Sequence, residues 1–179
     1  MENYFIGLDL SLNGTGLVAI NENIEIIEKK LIKSNVKDII EDRYINISHS
    51  IMSILKSLKP IQKIYIEGLS YGSSGSNGAQ LAGIHFITRT EIRRTFQFDN
   101  YVNGKLLLTY SDLVKIVPPT TLKKFITGKG QCKKNLMLLN VFKKFGETFD
   151  DDNLADAYSL ARLALFDFNK TKEKENKNG

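Results

Sequence analysis

The chain has 179 residues, 42% of them hydrophobic and 25% charged, with a formal net charge of +5, which fits one soluble domain with a full core. Its one cysteine, Cys132, excludes an intramolecular disulfide and fits a reducing compartment. No charged-then-apolar leader precedes Tyr4 and no apolar run is long enough to span a bilayer, so a cytoplasmic location without a membrane partner is expected.

Residues 4–20 (YFIGLDLSLNGTGLVAI) read as a strand, a polar turn at Asn13-Gly14-Thr15-Gly16, and a second strand. The first strand carries Asp9 in an apolar run. A carboxylate there is costly to bury without a cation or a donor, unless it faces solvent from an edge strand. Residues 24–32 alternate as a third antiparallel strand, and residues 36–58 carry isoleucines and leucines at helical spacing until Pro60 closes the helix. His49 lies in that helix without a metal-type neighbour and reads as a packing or surface residue.

Ile61–Glu67 is the next strand, and it ends in an acid. A polar loop from Ser70 to Gly78 follows, placed to contact a partner. Residues 79–98 form a long helix whose apolar residues cover more than one stripe, so it lies centrally in the fold or against a second subunit. His85 in this helix is expected to pack, while Arg89, Arg93 and Arg94 make its far end basic. Residues 100–110 read as a loop or short hairpin and 113–117 as a strand ended by Pro118-Pro119. Thr120-Thr121 then caps a short helix over 122–127. A glycine- and lysine-containing turn leads into a helix over 133–145, where backbone amides and lysines suit phosphate. Cys132 in that turn has no partner histidine to make it a nucleophile.

Charge is unevenly spread. Residues 113–146 contain eight lysines (Lys115, Lys123, Lys124, Lys129, Lys133, Lys134, Lys143 and Lys144) and no acid, whereas residues 147–152 contain four acids. A polyanion-binding face beside a cation site is one reading, and a solvated lysine-rich surface is the other. The last helix, 154–168, opens on Asp150-Asp151-Asp152-Asn153. Acids there also serve as caps, but Asp156 sits among alanines and leucines, facing the core, and shares a face with Asp152. The lysine-rich tail, 169–179, lacks apolar residues and is expected to be disordered.

Asp9, Glu67 and the pair Asp152 and Asp156 thus offer carboxylates from three distant segments. Carboxylates brought together need cations to stay ionised. Oxygen donors without His or Cys favour Mg²⁺ or Mn²⁺, and two such ions suit phosphodiester hydrolysis.

The stretches IGLDLSLNGTG, IEGLSYG, LKKFITGKGQCKKNLM and DDNLADAYSLA, in that order, resemble the RuvC family of Holliday junction resolvases, and its bacteriophage members most. The resemblance implies an α/β, RNase H-like (retroviral integrase) fold. Its mixed five-stranded sheet combines a three-stranded antiparallel meander with parallel strands, flanked by helices, in one nuclease domain over residues 1–168. It implies a homodimer that binds a four-way DNA junction and nicks two strands of like polarity, using two Mg²⁺ ions per site (Mn²⁺ substituting) and no nucleotide cofactor. Asp9 would bridge the ions, with Glu67 and Asp156 completing the site. Lys123 and Lys134 would approach the scissile phosphate, and Tyr71 would stack on a junction base. Lys124, Lys129, Lys133, Arg89 and Arg93 add basic candidates for DNA contact. The family's last motif has two acids three residues apart, but the residue three before Asp156 is Asn153. Either Asn153 supplies a neutral ligand or Asp152 reaches the metal. Rival readings are a broader fork or flap nuclease, a non-catalytic DNA-structure binder, and an actin-like phosphate binder prompted by Gly7-Leu8-Asp9 and Thr15-Gly16, for which the chain is short.

Overall fold

A computed structural model describes residues 2–69, 76–99, 101–102, 105–106, 109–130 and 136–178. Strands β1 (Tyr4–Asp9), β2 (Thr15–Asn21) and β3 (Ile26–Ile32) form an antiparallel meander. Helix α1 (Ile40–Ser57) then returns the chain to β4 (Ile61–Glu67), which pairs parallel to β1. Helix α2 (Ser76–Asp99), the short pair β5 (Tyr101–Val102) and β6 (Lys105–Leu106), and α3 (Tyr110–Leu113) lead to β7 (Val114–Val117), parallel to β4. Helices α4 (Pro119–Thr127), α5 (Met137–Phe145) and α6 (Asp152–Asn178) complete the order. The main sheet runs β3-β2-β1-β4-β7, the mixed five-stranded arrangement expected from the sequence.

Alternation along the strands builds a core on each face. Ile6, Leu8, Ile64 and Ile66 pack under α1 and α2 with Ile51, Leu55 and Ile84. Phe5, Val18, Ile20 and Tyr65 face α6, whose Ala157, Tyr158, Leu160 and Ala161 are fully buried. Two glycines fix how closely α6 approaches. A Cβ on Gly7 would lie 1.8 Å from the Ala157 carbonyl oxygen, and one on Gly16 2.1 Å from that of Asn153. The start of α6 therefore rests backbone to backbone on β1 and β2, at the sheet end where Asp9 sits.

Boundaries shift from the expected ones for local reasons. Strand β3 begins at Ile26 rather than Ile24, because the Asn21 side-chain oxygen accepts from the Asn23 and Glu25 N–H groups and closes a turn, with Ile24 at φ 70°. Helix α1 begins at Ile40 rather than Val36: Asn35 makes an Asx turn onto the Lys37 N–H (3.1 Å) and leaves Val36 exposed. Helix α2 takes in Ser76 to Gly78, which the sequence suggests are loop. Leu113 belongs to α3, whose capping box joins Thr109 and Asp112. Helix α4 begins at Pro119, where a proline with its fixed φ suits a first helical position, so Pro118 rather than a threonine is the N-cap. Helix α6 also runs past Phe168 to Asn178, where a disordered tail is expected. Lysine and glutamate are good helix formers, and Lys172 lies 4.4 Å from the Phe168 ring centroid and 4.0 Å from Glu22. No helix among the described residues is long and apolar enough to cross a membrane.

Candidate active site

The two acid-bearing strands are parallel neighbours, and both end in their carboxylate. Asp9 is the last residue of β1, opposite Gly16 of β2, and Glu67 is the last of β4, opposite Val117 of β7. The close seat of α6 on Gly7 and Gly16 brings Asp156, in the second turn of that helix, to the same sheet end. Asp9, Glu67 and Asp156 each offer one carboxylate oxygen, all within 4.8 Å of one another, and all three side chains are half-buried. They line a cleft of about 340 Å³ together with Ser11, Gly68, Leu81, His85, Lys123, Met137 and Asn153.

The β1–β2 turn is held rigidly at the rim of this cleft. Thr15, fully buried, accepts from the Ser11 N–H (3.0 Å) and donates to the Ser11 carbonyl (2.7 Å). Ser34 donates to the Leu12 carbonyl (2.6 Å). From α1, Arg43 donates to Ser34 (2.9 Å) and to the Asn13 side-chain oxygen (3.1 Å). The Thr15 hydroxyl is thus committed to the turn, which argues against the phosphate-loop reading of Thr15-Gly16. Arg43 is a supporting residue that nothing local in the sequence distinguishes from other helix arginines.

The remaining candidates fall in distinct places. Asn153 lines the cleft, whereas Asp152, the first residue of α6, is not among the lining residues. Asp151 caps the helix by accepting from the Asn153 N–H (2.8 Å). Lys123 reaches the cleft from α4, while Lys124 and Lys129 are exposed nearby. Arg89 lines an adjoining cavity, and Arg93 lies 5.8 Å from the Tyr110 ring. Tyr71, Lys133, Lys134 and Cys132 lie outside the described residues. His85 packs, as its helix suggests, but it also lines the acid cleft. Burial, and then the Arg89 charge, lower its pKa to about 4, which keeps the imidazole neutral. Its place one turn after Leu81, another lining residue, would have pointed to the cleft had the inward phase of α2 been known.

Three carboxylates that meet, with the Asn153 amide in the same lining and no cysteine among the described lining residues, form a hard-oxygen donor set, and anionic groups this close fit a divalent cation of the magnesium or manganese kind.

No protein-family model and no curated protein sequence matches the chain. Solved structures do. A Thermus thermophilus RuvC structure is similar at 16% identity and a TM-score of 0.64, covering 92% of this chain and 92% of that one. T. thermophilus RuvC in complex with a Holliday junction substrate is similar at 14% identity and a TM-score of 0.65, covering 90% of each. The yeast mitochondrial Holliday junction resolvase is similar at 13% identity and a TM-score of 0.53, covering 94% of this chain and 84% of that one. At these identities the likeness is one of fold: the chain has the RNase H-like fold of the RuvC resolvases.

Proposed function

We propose that the chain is a divalent-metal-dependent endonuclease that resolves four-way DNA junctions by paired nicks. The observation that carries the reading is the meeting of Asp9, Glu67 and Asp156 within 4.8 Å beside Lys123, on a fold shared with junction resolvases. Asp9, Glu67 and Asp156 would hold two Mg²⁺ or Mn²⁺ ions, with Asn153 as a neutral donor, better placed than Asp152 because it lines the cleft. When bound, such ions supply Lewis-acid stabilisation of the phosphodiester and an activated water.

The chain's own residues do the rest. Lys123 binds the scissile phosphate from the α4 side and balances charge developing on its oxygens. Lys134 joins Lys123 at the scissile phosphate, and Lys124, Lys129, Lys133, Arg89 and Arg93 hold flanking phosphates, so affinity falls steeply with salt. Tyr71 stacks on a base at the junction centre. The rigid turn from Leu10 to Thr15 and the seat of α6 hold the acids in fixed positions. Lys123→Ala is expected to lower kcat by about 10²-fold with a smaller change in junction affinity, as for loss of one charge-stabilising donor. Single-turnover kinetics would check this, and an unchanged kcat would remove Lys123 from the site.

The same reading includes a homodimer, supported by α2, where Phe86 is 74% exposed on the same outer face as Ala82, Thr90 and Arg93. Sedimentation at micromolar concentration should give twice the chain mass, and a monomer at all concentrations would contradict it. The proposed substrate is tested by comparing a four-way junction, a fork and a flap at fixed salt with Mg²⁺. Preferential, symmetric cutting of the junction is expected, and equal cutting of all three would make the protein a general branched-DNA nuclease.

A further inference from the structure

The two edges of the main sheet differ. At one, β7 is followed directly by α4, which carries Lys123 to the acid cleft. At the other, β3 pairs with β2 on its inner side, and among the described residues no strand pairs with its outer side. Beside that outer side a groove of about 730 Å³ opens between β3 and α1. Glu28, Lys30 and Ile32 alternate along it, since residues two apart on a strand share one face. From α1 come His49, Ser50, Ser53 and Ile54, of which all but Ile54 are exposed. The groove shares no lining residue with the acid cleft.

We propose that the β3 edge is a docking site for a partner protein, which adds an extended, acidic segment to the sheet as a further strand and lays alternate side chains into the groove. The inference stands apart from the nuclease reading. Strand-edge N–H and C=O groups are matched by another extended backbone, which a peptide has and a nucleic acid lacks. Side chains of a strand beside β3 would lie in the groove, where Ile32 and Ile54 offer apolar contact. Ile45, 42% exposed and one turn before His49 on α1, extends that apolar surface. Charge decides the rest. Lys30 and Lys33 are exposed, make no hydrogen bond or ion pair to another described residue, and stand against Glu28 alone in the groove. On the opposite face of β3, Lys29 lies 5.7 Å from the Phe149 ring. An acid on either face of an incoming strand thus meets a lysine, and such cross-strand pairs are favourable. A second copy of this chain fits less well. The register shift between Ala19 and Ile20 leaves Ile27 as an extra, bulged residue, and adjacent lysines on an edge strand disfavour pairing with their own kind. Because the groove lies at the sheet edge away from α4, a partner held there leaves the acid cleft open.

The test selects short random peptides displayed on phage against the full-length protein, with Ser53→Trp protein in excess as competitor. Ser53 is exposed, so the added indole fills the groove without entering the core. The enriched peptides should alternate apolar and acidic residues. Synthesised with a fluorescent label, they should bind the wild-type protein several-fold more tightly than either Ser53→Trp or Lys30→Glu. Proline at the centre of the peptide, which removes a backbone donor, should abolish binding. The bound peptide should protect β3 amides from hydrogen exchange, and a four-way junction added afterwards should leave it in place. No enrichment, enriched peptides without acids, equal binding to all three proteins, or protection confined to other elements would overturn the site. Displacement by the junction would make the groove a phosphate contact instead. Protection of β3 that rises with protein concentration alone would make the occupant a second copy, and would equally overturn the proposal.

Discussion

Asp9→Asn should abolish cleavage of a four-way junction while leaving junction binding in place. The substitution keeps the shape of the side chain at the end of β1 and removes one of three charges that lie within 4.8 Å of one another. Partners that merely orient metal ligands cost about 10–100-fold when lost, so removing a direct ligand should exceed that range. The stability of the protein supplies a second readout. Without divalent ions the variant should melt at or above the wild-type temperature, because a mutually repelling carboxylate is gone. Added Mg²⁺ should then raise the wild-type melting temperature and leave the variant unmoved; saturation at 100 times the dissociation constant corresponds to about 2.7 kcal/mol. Retained cleavage, or an equal response to Mg²⁺, would remove Asp9 from the site.

Gly7→Ala should have the largest effect on folding. The added methyl meets the Ala157 carbonyl oxygen at 1.8 Å and the Ala161 nitrogen at 2.7 Å, both backbone atoms that no rotamer change can move aside. Helix α6 must lift off β1, and Asp156, next to Ala157 in the chain, moves with it. Overpacking of a core typically costs about 1–3 kcal/mol, and a backbone collision should reach or exceed the upper figure. That is a large share of the roughly 5–15 kcal/mol that stabilises an ordinary domain. Gly146, at φ 78° with nothing within 4 Å of a built Cβ, should cost only about 1 kcal/mol on the same substitution. Urea unfolding of both variants checks the contrast. A Gly7→Ala protein within about 1 kcal/mol of wild type would contradict the proposed seat of α6.

How much of this was legible in the sequence follows from how local each signal is. The strand-end acids Asp9 and Glu67 stand out against apolar runs, and Asp156 stands out among alanines, so their segments could be picked before any geometry was known. Strand alternation and the Pro60 and Pro118-Pro119 breaks likewise marked the strands, whereas their mixed five-stranded arrangement came from the family resemblance. The sequence left Asp152 and Asn153 open, because which of them lines the cleft depends on helix phase. The helix starts where the Asn153 N–H donates to Asp151, and any of three consecutive aspartates is an acceptable cap. His85 was read only as packing for a similar reason: α2 carries apolar residues on several faces, so its inward direction is not encoded in its own spacing. The turns at Asn21 and Asn35 displaced element starts through single side-chain acceptors, which compete with strand and helix pairing over only a few residues. In the tail, composition suggested disorder, but the same lysines and glutamates extend an existing helix at little cost once α6 is nucleated.

The central claim is tested most directly by incubating the wild-type protein with a synthetic four-way junction, with and without Mg²⁺. Paired nicks at symmetric positions in two strands of like polarity, only when the ion is present, are the expected result. A protein that binds the junction but leaves it uncut at every Mg²⁺ and Mn²⁺ concentration would contradict the account.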